Sequence, residues 1–419
     1  MVDKINTWLP PELRLFLLGI VLLFFGVVLL TPSFGHPWDS LCWQNWATKI
    51  HDDGIGKVYE SGSDYMPLYL YILSFYGDIQ GNTEFIVKNS YKLKYFTYFI
   101  EVMAGLLLIR IVYEFTGNLI YSLLISLLYY LNFFYFYNSI IWSQVDGIMT
   151  FLIFLSFWFA YKKSVLLSGI FLLLAINFKL QAIVFIPLIG LLLLPELVHR
   201  TSWIKLLLLI VMLVGIEVLL YLPHYRAGNL DKALAVITDS FSKFPKVSLN
   251  AFNFWYWFVP EPATTPDTLE FCGVTYKRIG LILFFVSSFF ALLPLFLHTI
   301  NKIFFPKKQS HYSFQKMLIV GILIGLLFFF MNTEMHERYA HPAIFFAACY
   351  ALLTRRIFIY IILSIVYFCN LERVLSFTAM NHKTLIYTPW FLAIGYFVVI
   401  VYYYYLLYRK EDDPILAGY

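Results

Sequence analysis

One polar segment between two apolar runs has the side chains of an anion-binding or acid–base site. The segment MNTEMHERYAHP contains His336, Glu337, Arg338 and His341, with LIVGILIGLLFFF before it and AIFFAACYALL after it. An arginine can bind two phosphate oxygens at once, and His336 is a second donor suited to an anion. Glu337 can orient either of them. The segment therefore predicts recognition of a phosphate at the surface of a hydrophobic layer.

Two acidic residues near the first apolar run are candidate general bases. Asp39 lies in HPWDSLCWQNWATKI, and Asp64 lies in GSDYMPLYLYIL. A carboxylate beside an apolar wall can accept a proton from a hydroxyl or ligate a metal. The alternative for Asp39 is an N-cap that starts an interfacial helix. Asp64 is also an ordinary helix-start signal.

Two apolar runs are interrupted by groups that ionise or form several hydrogen bonds. NSIIWSQVDGIMTF contains Gln144 and Asp146. A buried aspartate is costly unless it has a partner, which favours a functional role for Asp146. AINFKLQAIVFIPL contains Lys179 and Gln181. The lysine can extend to the membrane surface or meet a phosphate, and both interpretations stay open at this point.

Other polar residues in apolar surroundings are less specific. SLNAFNFWYWF contains Asn250 and Trp255, and indole faces suit sugar rings and membrane interfaces alike. Glu101, Arg110 and Glu217 lie inside apolar runs, where we interpret them as structural pairs or as residues at the cytoplasmic ends of spans. The sequence has no phosphate-binding glycine loop, no His-x-Glu-x-x-His metal site and no serine nucleophile elbow.

The composition is that of a protein that crosses a membrane many times. The chain has 419 residues, of which 61% are hydrophobic, and its mean hydropathy is +0.74. A soluble domain of this composition would expose apolar surface on every side. The net charge of +5 reflects basic loops and forms no stripe or tail for nucleic acid. The cysteines lack metal spacing, and a Cys42–Cys272 disulfide requires both to lie outside.

We predict an all-α polytopic protein in which residues 1–419 form one transmembrane domain. About twelve apolar segments approach the roughly 20 residues that cross a bilayer as a helix. The piece 66–79 is too short to cross and predicts an interfacial or re-entrant helix. The predicted spans are 15–32, 95–115, 118–137, 146–161, 164–178, 181–197, 203–222, 279–300, 315–331, 341–354, 357–371 and 388–408.

Basic residues in the short loops predict the orientation of these spans. By the positive-inside rule, short loops rich in lysine and arginine lie on the cytoplasmic side. The long loops 33–94 and 223–278 then lie outside. The basic residues concerned are Lys162, Lys163, Arg200, Lys205, Lys302, Lys307, Lys308, Arg355, Arg356, Arg409 and Lys410.

With this orientation, the unusual polar residues collect at the outer ends of spans or in the outer loops. A transporter is expected to place such groups near the middle of the bilayer, between broken helices. Their position predicts instead a reaction chamber at the outer membrane surface. The residues are Asp39, Asp64, Gln144, Asp146, Lys179, Gln181, Asn250, His336 and Arg338.

The order of these motifs resembles that of the GT-C superfamily of membrane glycosyltransferases. Asp39 in a first outer loop is followed by DYMPLYLY, WSQVDG, FKLQAIVFIPL, NAFNFWYW and MHERYAHPA. Bacterial and archaeal mannosyltransferase-like members have roughly DYPPLYLY, WGQVD, TKPQA, NAFNLWW and MHERYLFPA. The likeness covers about 36–345. The glucosyltransferases of the endoplasmic reticulum that use dolichyl-phosphate glucose are more distantly similar.

The resemblance implies a GT-C fold and an inverting transferase that uses a polyprenyl-phosphate monosaccharide. Asp39 matches the family's first-loop acid, which implies the catalytic base. Asp64 matches the acid of DYPPL, and His336 matches the histidine of the His-Glu motif, which implies contact with the donor phosphate.

Three positions depart from the family pattern, and none of them removes a charged group. Met66 replaces the first proline of DYPPL, Ser143 replaces the glycine of WGQVD, and Leu180 replaces the proline of TKPQA. The resemblance does not carry over the sugar, because relatives differ in it, and mannose is the first choice.

We therefore predict transfer of a monosaccharide from an undecaprenyl- or dolichyl-type phosphate to a glycan, glycolipid or protein acceptor. The reaction is expected on the outer face of a multi-pass membrane protein, with the bacterial inner membrane as its location and no nucleic acid as a partner. The lipid phosphate is itself the leaving group, so no metal or cofactor is expected. The predicted site residues are Asp39 and Asp64 (catalytic), His336, Arg338 and Lys179 (donor phosphate), and Glu337, Gln144, Asp146, Gln181, Asn250 and Trp255 (other substrate contacts).

Two alternatives remain at this stage. A glycan ligase that uses a lipid diphosphate donor is also a membrane glycosyltransferase. A flippase or transporter of lipid-linked sugar needs two opposed gates, whereas the cytoplasmic side has only basic loops.

Overall fold

Helices form most of this chain, because a backbone in hydrocarbon has no water to bond and must satisfy its own amide groups. The computed structural model describes residues 10–240, 242–305, 312–378, 380–381 and 383–410. The basic residues Lys307 and Lys308 lie outside the described residues.

Seventeen α-helices and one small hairpin occur in the described part of the chain. The α-helices are α1 (Pro11–Leu30), α2 (Pro37–Asp53), α3 (Pro67–Gln80), α4 (Thr83–Lys88), α5 (Leu93–Thr116), α6 (Leu119–Tyr130), α7 (Phe133–Ile140), α8 (Asp146–Tyr161), α9 (Val165–Phe178), α10 (Ile186–His199), α11 (Trp203–Arg226), α12 (Leu230–Asp239), α13 (Tyr276–Phe304), α14 (Phe314–Met331), α15 (His341–Thr354), α16 (Ile357–Leu375) and α17 (Pro389–Tyr408). The 3₁₀ helices are Ile55–Ser61, Ser90–Lys92, Leu180–Phe185, Phe254–Trp257 and Leu385–Tyr387. Strand β1 (Glu270–Phe271) pairs antiparallel with β2 (Val274–Thr275).

Each predicted apolar segment coincides with a helix or a pair of helices. Eight of the described helices are long and apolar enough to cross a membrane. The segment 118–137 is the pair α6 and α7, bent by 56°. Three more segments are shorter apolar helices, α8, α9 and α15, of 16, 14 and 14 residues. The prediction of an all-α multi-pass membrane protein is confirmed, whereas twelve spans and the GT-C fold stay predictions.

The first long loop folds into short helices that pack on one another. The predicted short helix at 66–79 is α3, which has 14 residues and begins with Pro67. Helix α2 likewise begins with Pro37. Proline suits this position, because the first amide of a helix has no partner within the helix. Helix α2 packs against α3 and α4 and belongs to no candidate span.

The centre of the bundle is the pair α14 and α15. All 14 residues of α15 are buried, and the helix packs against α14, α8 and α16. Helices α1 and α11 lie at the periphery; α11 buries only Leu220 and His224 along its length. Large apolar faces of this kind belong against lipid. The segment MNTEMHERYA therefore joins the two most central helices. Cys42 and Cys272 are free thiols.

Candidate active site

The chain between α7 and α8 forms a turn that presents side chains to the start of α2. Ser143 has a left-handed backbone with φ of 72°, and the amide of His36 donates to the carbonyl of Trp142 at 2.8 Å. Gly35 passes so close that a β-carbon there would lie 2.2 Å from the Ser143 Oγ and 2.8 Å from the Trp142 carbonyl oxygen. Only glycine fits this approach, so Gly35 fixes the start of α2 against the turn.

This contact places the Asp39 carboxylate beside two hydrogen-bond donors and an imidazole ring. Its Oδ2 atom accepts hydrogen bonds from Trp142 Nε1 at 2.8 Å and from Gln144 Nε2 at 2.7 Å. His36 Nδ1 lies 3.4 Å from the same oxygen, and its ring stacks on Trp142 at 4.8 Å. Among the described residues nothing donates to Oδ1. The carboxylate is thus held by one oxygen, and the other is free to meet a ligand.

Asp39 is ionised at neutral pH. Burial opposes its charge, but the Arg338 guanidinium and the hydrogen bonds from His36 and Trp142 hold the pKa of Asp39 well below its usual range. The Asp39 side chain is only 16% exposed, and in surroundings of low dielectric constant these charges interact strongly with the carboxylate. At neutral pH, Asp39 is therefore an anion that accepts hydrogen bonds.

A buried ion pair lies next to Asp39. Lys179 Nζ donates to Asp146 Oδ1 at 2.5 Å and to Gln144 Oε1 at 3.3 Å. Asn138 Nδ2 donates to Asp146 Oδ2 at 3.1 Å. The Asp146 side chain is fully buried, and the lysine and asparagine stabilise its charge. Gln144 links the two groups, because its amide nitrogen donates to Asp39 while its amide oxygen accepts from Lys179.

Arg338 joins this pair to the segment between α14 and α15. Its Nη1 donates to Glu337 Oε1 at 2.8 Å, and its Nε lies 3.8 Å from Asp146 Oδ2. Its guanidinium lies 5.9 Å from the Trp142 ring centroid, a cation–π distance. Despite burial, the charges of Asp39, Glu337 and Asp146 raise the pKa of Arg338 further above its usual value. The arginine is therefore charged at every pH that matters for function.

His336 lies beside Arg338 with a different charge state. Its Nδ1 is 3.9 Å from Glu337 Oε2, and its ring packs edge-on against Phe244. Its backbone pairs with Leu249 and Asn250 of the second long loop. Burial and the nearby Arg338 charge lower the pKa of His336. The ring is therefore neutral at pH 7 and can donate one hydrogen bond.

The cations of the cluster are already paired with carboxylates. Asp39, Asp146 and Glu337 face Lys179 and Arg338, so the five side chains carry one net negative charge while His336 is neutral. The sequence predicted the two cations as donors toward a phosphate. The structure gives each a carboxylate partner, so an incoming anion has to share or displace those contacts.

Asp64 lies at the rim of the cluster. It forms an ion pair with Lys243 of the second long loop, and both side chains are about one-third exposed. The next residue, Tyr65, points inward and its hydroxyl is 3.4 Å from Gln144 Oε1. The Tyr65 ring also lies 5.2 Å from the Lys179 ammonium. Asp64 is thus a surface carboxylate beside the site, whereas Asp39 is built into it.

Three other predicted residues lie further out or serve the frame. Gln181 makes no hydrogen bond to another described residue, and Asn250 is exposed with a left-handed backbone, φ of 65°. Trp255 is 2% exposed, and its Nε1 donates to the carbonyls of Met331 and Asn332 at 3.1 and 3.2 Å. This burial favours a structural role for Trp255 in holding the end of α14.

The sequence reasoning missed several residues that shape the site. His36 stands three positions before Asp39, a spacing that brings both side chains together at a helix start. Asn138 and Lys243 had no such signal, because each meets its carboxylate through tertiary contact. His341 has other contacts: its Nε2 lies 3.3 Å from Glu101 Oε1, and its Nδ1 lies 3.0 Å from the Tyr367 hydroxyl.

The arrangement can accept a hydrogen bond from a hydroxyl and stabilise a developing anion at neighbouring points. The free Oδ1 of Asp39 suits the first task, and Arg338 with His336 suits the second. Within the described ranges, no three histidine, cysteine or acidic side chains group in a way that could hold a metal ion.

No protein-family model and no curated protein sequence matches the chain.

Proposed function

We propose that this protein is an inverting glycosyltransferase of the GT-C type that uses a polyprenyl-phosphate monosaccharide. The observation that carries the proposal is the Asp39 carboxylate. It is ionised, oriented through one oxygen by Trp142 and Gln144, and lies in the field of Arg338. A hydroxyl acceptor needs such an oxygen, and a departing lipid phosphate needs such a cation.

In the proposed reaction, an acceptor hydroxyl donates its hydrogen bond to Asp39 Oδ1. Its oxygen attacks the anomeric carbon of the donor sugar while the bond from that carbon to the phosphate oxygen breaks. The proton passes to Asp39, and the polyprenyl phosphate leaves with the bonding electron pair. Because the pKa of Asp39 is low, the carboxylate is a weak base and accepts the proton late, once the hydroxyl has become acidic.

Arg338 and His336 are proposed to act on the leaving group. Arg338 is charged, and its Nε makes only a 3.8 Å contact with Asp146, which is too long for a hydrogen bond. Nε is itself buried, so the Nη2 end of the guanidinium, which donates to no described residue, is the part that we propose to reach a phosphate oxygen. His336 offers a neutral donor beside it. Lys179 acts less directly in this scheme, because its ammonium is committed to Asp146 and Gln144.

The three departures from the family pattern support the same proposal. Met66 has φ of −65°, the value that proline imposes. Lys179 is extended, with φ of −148° and ψ of 128°, as the residue before a proline prefers to be. Ser143 has a left-handed backbone that suits glycine. At each position the chain retains the backbone conformation that the family residue would favour.

The proposal also includes the finer points of the reaction. The donor sugar is mannose, and the acceptor is a glycan, glycolipid or protein. The reaction takes place on the outer face of a bacterial inner membrane. The convergence of both long loops on the cluster, through Asp39 and through the backbone pairing of His336 with Leu249 and Asn250, supports a site at the side where those loops lie.

The test is transfer by the purified full chain in nanodiscs. Radiolabelled polyprenyl-phosphate mannose, glucose, galactose and arabinose are each supplied with acceptors extracted from the native membrane. We expect one of them to label an acceptor, and Asp39→Asn to abolish the labelling. Transfer only from a lipid diphosphate would identify a ligase, and flipping of labelled lipid without transfer would identify a transporter. Either result would overturn the proposal.

A further inference from the structure

A cavity lies beside the candidate active site, at the ends of α16 and α17. Its volume is about 380 Å³, within the range of small-ligand sites. Asn250, Phe252 and Tyr256 of the second long loop line one wall, and Arg373, Val374 and Pro389 of the two helix ends line the other.

Arg373 is an exposed cation of this cavity that has no charged partner among the described residues. In the part of the chain that the structure describes, it forms no ion pair and no side-chain hydrogen bond. The neighbouring Glu372 makes its described hydrogen bonds to other groups, since its side chain accepts from Tyr137 and from the amide and hydroxyl of Thr378. Lys179 and Arg338 of the active-site cluster differ in this respect, since each faces a carboxylate.

The remaining walls combine polar groups with apolar surface. Asn250 is exposed, and its carbonyl is fixed by a hydrogen bond of 2.8 Å from Asn370 Nδ2. The Tyr256 hydroxyl is a further donor. Phe252 is buried beneath, and Val374 and Pro389 continue the apolar side toward α16 and α17, which are both candidate spans. A ligand that suits this cavity is anionic at one end and apolar at the other.

We propose that this cavity binds the phosphate headgroup of a membrane lipid. Arg373 binds the phosphate oxygens, the Asn250 amide and the Tyr256 hydroxyl donate to them, and the acyl or prenyl chain follows Val374 and Pro389 onto the surface of the bundle. A phosphate diester or monoester presents two or more oxygens to one guanidinium, which an arginine recognises better than a lysine. Two classes of lipid carry this group, a polyprenyl phosphate and an ordinary phospholipid. The inference does not depend on the glycosyltransferase proposal.

Native mass spectrometry of the full chain from phosphatidylcholine nanodiscs tests the site. The wild-type protein is titrated separately with undecaprenyl phosphate, with phosphatidylglycerol and with inorganic phosphate. The variants are Arg373→Gln and Val374→Trp, which fills the cavity without changing charge. The control is Arg278→Gln, because Arg278 is exposed in the first turn of α13 and does not line the cavity. We expect both cavity variants, but not the control, to weaken binding of one lipid roughly ten- to a hundredfold.

Each outcome decides the matter. If the cavity variants weaken the binding of undecaprenyl phosphate alone, the ligand of the site is a carrier lipid. If they weaken the binding of phosphatidylglycerol equally, the site accepts any anionic lipid. Both results support a headgroup site. Wild-type affinities in Arg373→Gln and Val374→Trp for both lipids would overturn it. Binding of inorganic phosphate as tight as that of either lipid would also overturn the lipid assignment. Because the readout is binding, it stands apart from any failure of the transfer assay.

Discussion

Replacing Asp39 by asparagine separates the base from the scaffold of the site. The asparagine Oδ1 can take the place of the aspartate Oδ2, which accepts from Trp142 Nε1 at 2.8 Å and from Gln144 Nε2 at 2.7 Å. The amide nitrogen then occupies the position of the free carboxylate oxygen. The hydrogen bonds that hold the side chain persist, while the atom that faces the acceptor changes from an acceptor to a donor.

We expect this exchange to slow turnover by about two to four orders of magnitude, the contribution typical of a positioned general base. Donor binding is expected to change little, because Arg338 and His336 keep their positions. The assay is a single-turnover reaction with preloaded donor and saturating acceptor, alongside a binding titration with the donor lipid. Circular dichroism and the thermal unfolding midpoint verify that the variant is folded.

Asp64→Asn is the matched control, because Asp64 lies at the rim and pairs with Lys243. The loss of activity in this variant is expected to appear partly as a higher KM, because the ion pair positions the loop that carries Tyr65. If Asp39→Asn reacts at a near-normal rate and Asp64→Asn does not react, then Asp64 is the base and Asp39 is not. Equal, small effects in both variants would remove a carboxylate base from the mechanism altogether.

Four other substitutions test the cluster, its supporting turn and the predicted membrane orientation. Arg338→Gln is expected to lower kcat/KM roughly ten- to a hundredfold. The substitution also removes the cation that keeps the pKa of Asp39 low, so the acidic limb of the pH–rate profile should move to higher pH. An acidic limb at the wild-type pH would contradict the role given to Arg338. Lys179→Met leaves the buried Asp146 without its ammonium partner and should lower the free energy of unfolding by about 3–5 kcal/mol. Denaturant titration in detergent measures this change. An unchanged unfolding midpoint would mean that the Lys179–Asp146 ion pair is not buried. Ser143→Gly relieves a left-handed backbone and removes a buried hydroxyl that has no partner among the described residues. It should therefore raise the free energy of unfolding by about 0.5–1 kcal/mol without loss of activity. A variant less stable than the wild type would contradict this prediction. The orientation is tested in cells that express a variant without exposed native cysteines. Asn250→Cys should react with an impermeant thiol reagent and Lys205→Cys should not, because both positions are exposed and are predicted to lie on opposite sides of the membrane. Equal or reversed labelling would contradict the predicted orientation.

Much of the helical architecture could be predicted because it depends on local composition. An apolar run that enters hydrocarbon has to form its hydrogen bonds internally, so its length alone predicts a helix. The short helix at 66–79 was predicted in this way and is observed as α3. The number of spans was harder, because α8, α9 and α15 are shorter than a full crossing and α6 and α7 meet at a bend. The depth of a short helix in the bilayer depends on its neighbours.

The candidate site was predictable by residue type and not by contact. Asp39 stood out as a candidate base and Arg338 as a phosphate ligand. Asp146 and Lys179 stood out because each interrupts an apolar run with a charge. Which partner each one has was not predictable. Trp255 was a candidate sugar platform because indole faces suit sugar rings, yet its indole is buried and donates to backbone carbonyls.

That this chain is a helical membrane protein, and which of its polar residues are exceptional, follows from its amino-acid sequence. The packing of the helices is what brings Trp142 and Gln144 to Asp39 from about a hundred residues away, pairs Lys179 and Arg338 with carboxylates, and leaves Arg373 without such a partner among the described residues. The two kinds of interaction differ in how far apart in the chain their partners lie. Hydrophobic burial and backbone hydrogen bonding act along a single segment and leave a pattern in it. Ion pairs and side-chain hydrogen bonds form between segments, and they depend on how helices pack.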